Sequence, residues 1–119
     1  MTTTLAWFLF ALGVSHVGVA LIKFRAPLME GLRAGMIGKF GAPEARRTAF
    51  WFTLFGPLVM LAGQVAIHAA ATGDLALYRL VGSYLLGVSV VGAFVSPKSP
   101  FSAGLLISAL MVAAGYGLL

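Results

Sequence analysis

The chain has 119 residues, of which 61% are hydrophobic and 9% are charged. A soluble domain carries about 25% charged residues, so the composition argues against a soluble fold. The absence of Cys excludes disulfides, thiolate metal sites and thiol redox chemistry. The net charge of +5 suggests nucleic acid in a soluble protein, but here we interpret it as a signal of membrane topology and expect no nucleic-acid partner.

Four apolar segments follow one another along the chain. They cover about residues 5–22, 49–71, 76–96 and 102–119. Each has about 18 to 23 residues, which matches a hydrocarbon core about 30 Å thick when the chain is helical. None alternates between polar and apolar residues as a transmembrane strand does. We therefore predict an all-α polytopic membrane protein, a four-transmembrane-helix bundle in a single domain, with the first span retained after synthesis.

The basic residues predict the orientation of the spans. Of the eight Lys and Arg residues, all but Arg79 lie between the first and second spans or in the turn after the third. The positive-inside rule places these two segments in the cytoplasm. Both termini and the short turn at Asp74 are then expected outside the cytoplasm.

The connector at about residues 26–41 is expected to form a short interfacial amphipathic helix between the first two spans. Leu28, Leu32 and Met36 recur at helical spacing, while Glu30 and Arg33 lie elsewhere on the helical wheel. Two interpretations stay open. The helix is either a basic connector that touches anionic membrane lipid, or a lid over a cavity that opens to the membrane.

His16 is the strongest candidate for a functional residue. It lies within the first span, about 16 Å from the predicted outer end, and an ionisable group at such depth usually faces the bundle interior. We expect His16 either to act as an acid/base on a bound molecule or only to hydrogen-bond a Ser, a Tyr or a backbone carbonyl of a neighbouring helix. Gly13 and Ala20 on the same face allow close approach to its imidazole.

Polar residues on the second and third spans predict a ligand pocket around His16. Met60 and Gln64 share one stripe of the second span, and Tyr84 and Ser89 lie at overlapping depths in the third. We take these four as candidate ligand-binding residues, in a pocket that opens toward the outer half of the membrane. Rotation of the helices decides whether their side chains meet.

The spans contain features that bear on other functions. No carboxylate lies within them, which argues against a cation-coupled antiporter and a carboxylate metal site. His16 and His68 differ in depth, so we expect no haem between them and predict no metal and no cofactor, although a haem held by one His stays open. The run Phe50-Trp51-Phe52 is interpreted as an aromatic belt at the cytoplasmic interface.

Several stretches resemble a known bacterial family. They are Gly13-Val14-Ser15-His16, Leu32-Arg33-Ala34-Gly35, Arg46-Arg47-Thr48-Ala49-Phe50-Trp51-Phe52 with Gly56 and Gly63, and Ser96-Pro97-Lys98-Ser99-Pro100-Phe101, in which Pro100 stands where the family pattern has Gly. The chain resembles a domain of unknown function whose members are four-helix membrane proteins of about this length, and it is loosely similar to DoxX-like proteins. The resemblance implies a multi-pass protein of the bacterial inner membrane and gives no catalytic assignment.

Three functions are compatible with these observations. The first is binding of a lipophilic small molecule around His16, with acid/base transformation of that molecule as an extension. The second is a non-enzymatic accessory subunit or assembly factor of a larger membrane complex. The third is a small oligomeric exporter. Pairs of small residues one helical turn apart favour close packing within the bundle or a homodimer: Ser83 and Gly87, Gly104 and Ser108, Ala113 and Gly117.

Overall fold

The computed structural model describes residues 1–98 and 101–119 and confirms the all-α fold class. The helices in these residues are α1 (Thr2–Lys23), α2 (Arg25–Arg33), α3 (Glu44–Thr72), α4 (Leu75–Val95) and α5 (Phe101–Gly115). By length and composition, α1, α3 and α4 are able to cross a membrane. Helix α5 is apolar but has only 15 residues. Ser99 and Pro100, at the end of the predicted turn, lie outside the described residues.

The amphipathic connector helix is shorter than the sequence suggested. Helix α2 ends at Arg33, whereas the apolar repeat continues to about residue 41. The backbone of Gly35, Met36 and Gly38 has φ values of 112°, 64° and 72°, in the left-handed region that an α-helix does not enter. Met36 therefore lies outside the helix that its spacing predicted, and the chain turns back toward α3.

Helices α1 and α3 pack antiparallel, and glycines let their backbones approach closely. A Cβ atom added to Gly13 would lie 2.6 Å from the Met60 amide nitrogen, and one added to Gly63 would lie 2.6 Å from the Phe10 Cα. Gly56 meets Val17 in the same way. Small residues at helix interfaces allow this close packing in an apolar solvent.

Helices α4 and α5 form a second antiparallel pair. Gly82 lies opposite Met111, and Gly92 lies opposite the Phe101 ring. Contacts between α1 and α5 and between α3 and α4 join the two pairs, so the helices follow one another around a ring in the order α1, α3, α4, α5. Within the described residues, α1 and α4 lie across this ring, and no Cα atom of one lies within 8 Å of a Cα atom of the other.

The two ends of the ring are packed differently. The end that holds the N-terminus and the Asp74 turn is closed by a core of apolar side chains, both small and large, which includes Leu5, Ala6, Leu9, Ala66, Ala69, Tyr78, Met111 and Ala114. The Tyr78 hydroxyl donates a 2.8 Å hydrogen bond to the Thr2 carbonyl, and Arg79 donates one of the same length to the Gly115 carbonyl. These two bonds join the ends of α1, α4 and α5 at this end of the ring. The cavity lies at the opposite end.

Candidate functional site

A large cavity occupies the basic end of the ring. It has a volume of about 1020 Å³ and is lined by residues of α1, α3, α4 and α5. Its wall is mostly apolar, including Leu9, Leu12, Val59, Leu85 and Val88. Aromatic rings are prominent in the lining at this end, whereas the closed end is filled by alanines together with leucine, tyrosine and methionine side chains. At the basic end the side chains leave a space between the helices unfilled.

An aromatic cluster forms one wall of the cavity. The His16 and Phe52 rings are stacked with centroids 4.0 Å apart and an interplanar angle of 21°. Phe55 lies edge-on to His16 at 5.6 Å and contacts Phe101 at 5.8 Å, while Phe24 contacts Phe52 at 5.0 Å. The cluster therefore connects α1, α3 and α5 and holds the imidazole in one orientation.

His16 has one nitrogen engaged and one without a partner. Its Nε2 lies 2.7 Å from the Phe52 carbonyl oxygen, and the side chain is 8% exposed. Because a carbonyl only accepts, Nε2 carries the hydrogen of this bond, and in the neutral ring Nδ1 carries the lone pair. Nδ1 has no hydrogen-bond partner among the described residues. The contact with a backbone carbonyl is one of the two roles expected for His16, and it leaves the second role available through Nδ1.

Ser89 is the second polar group of the cavity wall. It is 5% exposed, and its hydroxyl makes no hydrogen bond within the described part of the chain. Gly104 of α5 lies opposite, since a Cβ atom added there would be 3.0 Å from the Ser89 Oγ. Ser108, in contrast, is fully buried outside the cavity and donates to the Gly104 carbonyl at 2.6 Å. A serine hydroxyl in a helix can donate to a backbone carbonyl one turn earlier in the same helix. The absence of such a bond at a side chain as buried as Ser89 is therefore unusual.

The other candidate ligand-binding residues do not reach the cavity. Met60 packs against Gly13 in the α1–α3 interface, Gln64 is exposed on α3, and Tyr84 is 74% exposed on the outer face of α4. The buried face of α3 consists of glycine, alanine and valine, and Gln64 lies outside this face. Of the predicted set, the structure brings His16 and Ser89 to one cavity.

Three basic residues surround the mouth of the cavity. They are Lys23 at the end of α1, Arg47 in the first turn of α3 and Lys98 between α4 and α5. The cavity therefore opens at the basic end of the chain, whereas the sequence suggested an opening toward the outer half of the membrane. In the sequence these cations indicated only the predicted topology. All three lie at the ends of predicted spans, and this shared position is the sequence signal that could have grouped them.

The site offers few ligands for a metal or haem. Among the described residues, no group of three or more His, Cys, Asp or Glu side chains lies close enough to bind a metal ion. His68 is exposed near the far end of α3, and His16 Nε2 is occupied by the Phe52 carbonyl. What the arrangement provides is an apolar chamber with a hydroxyl, an imidazole nitrogen and a cationic mouth.

A comparison with protein-family models assigns the chain to a family. The model of a family of unknown function (DUF6463) matches residues 1–117. The chain belongs to the DUF6463 family. No curated protein and no solved structure matches this DUF6463 protein, so its DoxX-like character stays a prediction.

Proposed function

We propose that this DUF6463 protein is a four-helix bundle of the bacterial inner membrane that binds a lipophilic small molecule in the cavity around His16 and Ser89. Three helices long and apolar enough to cross a membrane support the membrane location. Large apolar side chains on the outer surface support it too, since Ile22 is 82% and Phe94 is 88% exposed. Such an apolar exterior is stable in lipid and aggregates in water.

The observation that carries the proposal is the unpartnered Ser89 hydroxyl in the wall of an apolar cavity. The Ser89 hydroxyl is open to the cavity and is not enclosed by protein on all sides. A carbonyl or hydroxyl on a bound molecule would hydrogen-bond with it there, and His16 Nδ1 offers a second hydrogen-bonding position. Pockets that bind small molecules typically have volumes of about 300–1,000 Å³ and mostly apolar walls with a few polar groups. This cavity, with about 1020 Å³ and a mostly apolar wall, resembles them in size and lining.

Acid/base transformation of the bound molecule is an extension of the proposal. The hydrogen on Nε2 is held by the Phe52 carbonyl, so the neutral imidazole presents Nδ1 as a proton acceptor. A hydroxyl of the ligand at hydrogen-bond distance from Nδ1 would donate a hydrogen bond to it, so that Nδ1 could take the proton as general base while that oxygen forms a new bond, and the Ser89 hydroxyl would orient the same ligand.

A pair of serine variants tests the assignment of the cavity. Ser89→Ala is expected to leave stability nearly unchanged, because the hydroxyl has no partner in the described chain, and to weaken binding of 1-oleoylglycerol. Ser108→Ala is the control: it removes a buried hydrogen bond, is expected to lower stability by about 1 kcal/mol, and leaves binding unchanged. Binding is measured by native mass spectrometry from dodecyl maltoside micelles. Equal binding by wild type and Ser89→Ala would count against the hydroxyl as a ligand group.

A second pair of variants tests whether the lipophile occupies the cavity, and neither variant removes a polar group. Val19 lines the cavity and Val14 does not, yet both lie on α1 and both are 46% exposed. Val19→Trp is expected to fill the cavity and abolish binding of 1-oleoylglycerol, whereas Val14→Trp should bind it like wild type. If both variants retain wild-type binding, the lipophile does not occupy this cavity and the proposed function fails.

A further inference from the structure

The mouth of the cavity carries positive charge that no ion pair within the described residues neutralises. Lys23, Arg47 and Lys98 come from three different elements, and each is exposed. No Asp or Glu is among the residues that line the cavity. The ion pair seen in the described residues joins Glu30 to Arg46, with 4.0 Å between the Glu30 oxygen and the Arg46 Nε, and it involves none of the three mouth cations.

The lining changes character with depth in a defined order. The three cations lie at the mouth. His16 is seven residues from Lys23 along α1, and Ser89 is seven residues from Ser96 along α4, which places both about 10 Å deeper. Beyond them the wall is formed by Leu9, Val59 and other apolar residues. The site thus has a cationic, then a neutral hydrogen-bonding, then an apolar zone.

We propose that the occupant of this cavity is an anionic lipid whose negatively charged head group is held at the mouth by Lys23, Arg47 and Lys98. The proposal rests on the proposed function and specifies the substrate class. The polar linkage of such a lipid, an ester carbonyl or a hydroxyl, lies at the depth of Ser89 and His16, and its hydrocarbon chain fills the apolar zone. A neutral lipophile would bring no negative charge to these three cations.

The geometry favours a phosphate or carboxylate head group over a zwitterionic one. Arg47 presents a planar fork of donors that matches either oxyanion, and the two lysines add point charges on other sides of the mouth. A choline group beside the phosphate would bring a positive charge next to the same cations. Exposed ion pairs are individually weak, so the preference arises from three charges that act together on one head group.

Four probes with the same oleoyl chain separate the head group from the tail. They are oleoyl lysophosphatidic acid, oleic acid, oleoyl lysophosphatidylcholine and 1-oleoylglycerol, added to the full-length protein in dodecyl maltoside. We expect the two anionic probes to bind about tenfold or more tightly than the other two, and the preference to shrink as salt is raised from 50 to 500 mM.

Two triple variants, one a test and one a control, each remove three positive charges. Lys23→Gln, Arg47→Gln and Lys98→Gln together remove the mouth cations, while Arg25→Gln, Arg33→Gln and Lys39→Gln remove three cations from the same predicted side of the membrane that do not line the cavity. The first triple variant is expected to bind all four probes with similar affinity. The control triple variant should keep the preference of the wild type.

The possible results separate this inference from the proposed function. A wild-type preference for both anionic probes that only the mouth variant loses supports an anionic lipid. A preference for lysophosphatidic acid alone narrows the head group to phosphate, and one for oleic acid alone narrows it to carboxylate. Equal wild-type affinity for all four probes, blocked by Val19→Trp, overturns the inference and leaves the lipophile site. Binding of none of the probes overturns both.

Discussion

The close contact between α1 and α3 makes Gly63→Ala a sharp test of the fold around the site. The added Cβ atom would lie 2.6 Å from both the Cα and the amide nitrogen of Phe10, where ordinary contact begins near 3.4 Å. The helices must therefore separate by about 1 Å. Overpacking costs about 1–3 kcal/mol, and the upper end applies because backbone atoms cannot move aside by a change of rotamer.

The control for this change is Gly18→Ala, because nothing lies within 4 Å of an added Cβ atom at Gly18. Alanine is favoured over glycine in a helix by about 1 kcal/mol, which stabilises the control and offsets part of the strain at Gly63. We expect Gly63→Ala to lower the free energy of unfolding by about 2 kcal/mol and Gly18→Ala to raise it by up to about 1 kcal/mol.

The assay is unfolding by sodium dodecyl sulfate in dodecyl maltoside micelles, followed by tryptophan fluorescence. Trp7 lies on α1 and Trp51 on α3, so the signal reports on the two helices that must separate. A midpoint for Gly63→Ala equal to or above that of Gly18→Ala would show that the two backbones are not in contact at Phe10. The stacking of His16 on Phe52 across the same interface would then lose its basis.

Three further predictions concern the closed end and the topology. Tyr78→Phe removes the hydrogen bond to the Thr2 carbonyl and should cost about 1 kcal/mol in the same detergent titration, and an unchanged midpoint would contradict that bond. Asp74→Ala removes the side chain that accepts from the Leu77 amide at the start of α4 and should also cost about 1 kcal/mol, and stability equal to wild type would argue against this cap. Because the chain has no Cys, single Asp74→Cys and Lys39→Cys variants report orientation: an impermeant maleimide should label the first in intact spheroplasts and the second only after permeabilisation, and labelling of both from outside would refute the predicted orientation.

The positions of the long helices could be predicted from the sequence because they depend on local properties. Long apolar runs bounded by charged or turn-forming residues locate α1, α3 and α4 to within a few residues. The C-terminal end of α2 was harder to predict, since the apolar repeat continues past the point where Gly35 and Met36 take left-handed backbone conformations. Family membership could also be anticipated, because it depends on residues in order and needs no knowledge of their contacts.

The composition of the site depended on the rotation of each helix about its axis, which the sequence left open. Tyr84 and Ser89 are five positions apart, which separates them by about 140° around α4, so only one of them can face a given cavity. Once Tyr78 and Gly82 face the neighbouring helices, Ser89 is buried and Tyr84 lies outside. The rotation of α3 is set by Gly56 and Gly63, because their small size allows that face of the helix to pack closely against α1. Gln64 then lies on an exposed face.

The sequence by itself determined the helical segments, their apolar character and the accumulation of basic residues at one end, because each is a property of neighbouring residues. Tertiary structure alone decided that His16 and Ser89 share a cavity and that this cavity opens between Lys23, Arg47 and Lys98. The physical reason is packing. Apolar side chains fill one end of the ring, whereas the helices at the other end enclose a space that exists only when all four of them are assembled.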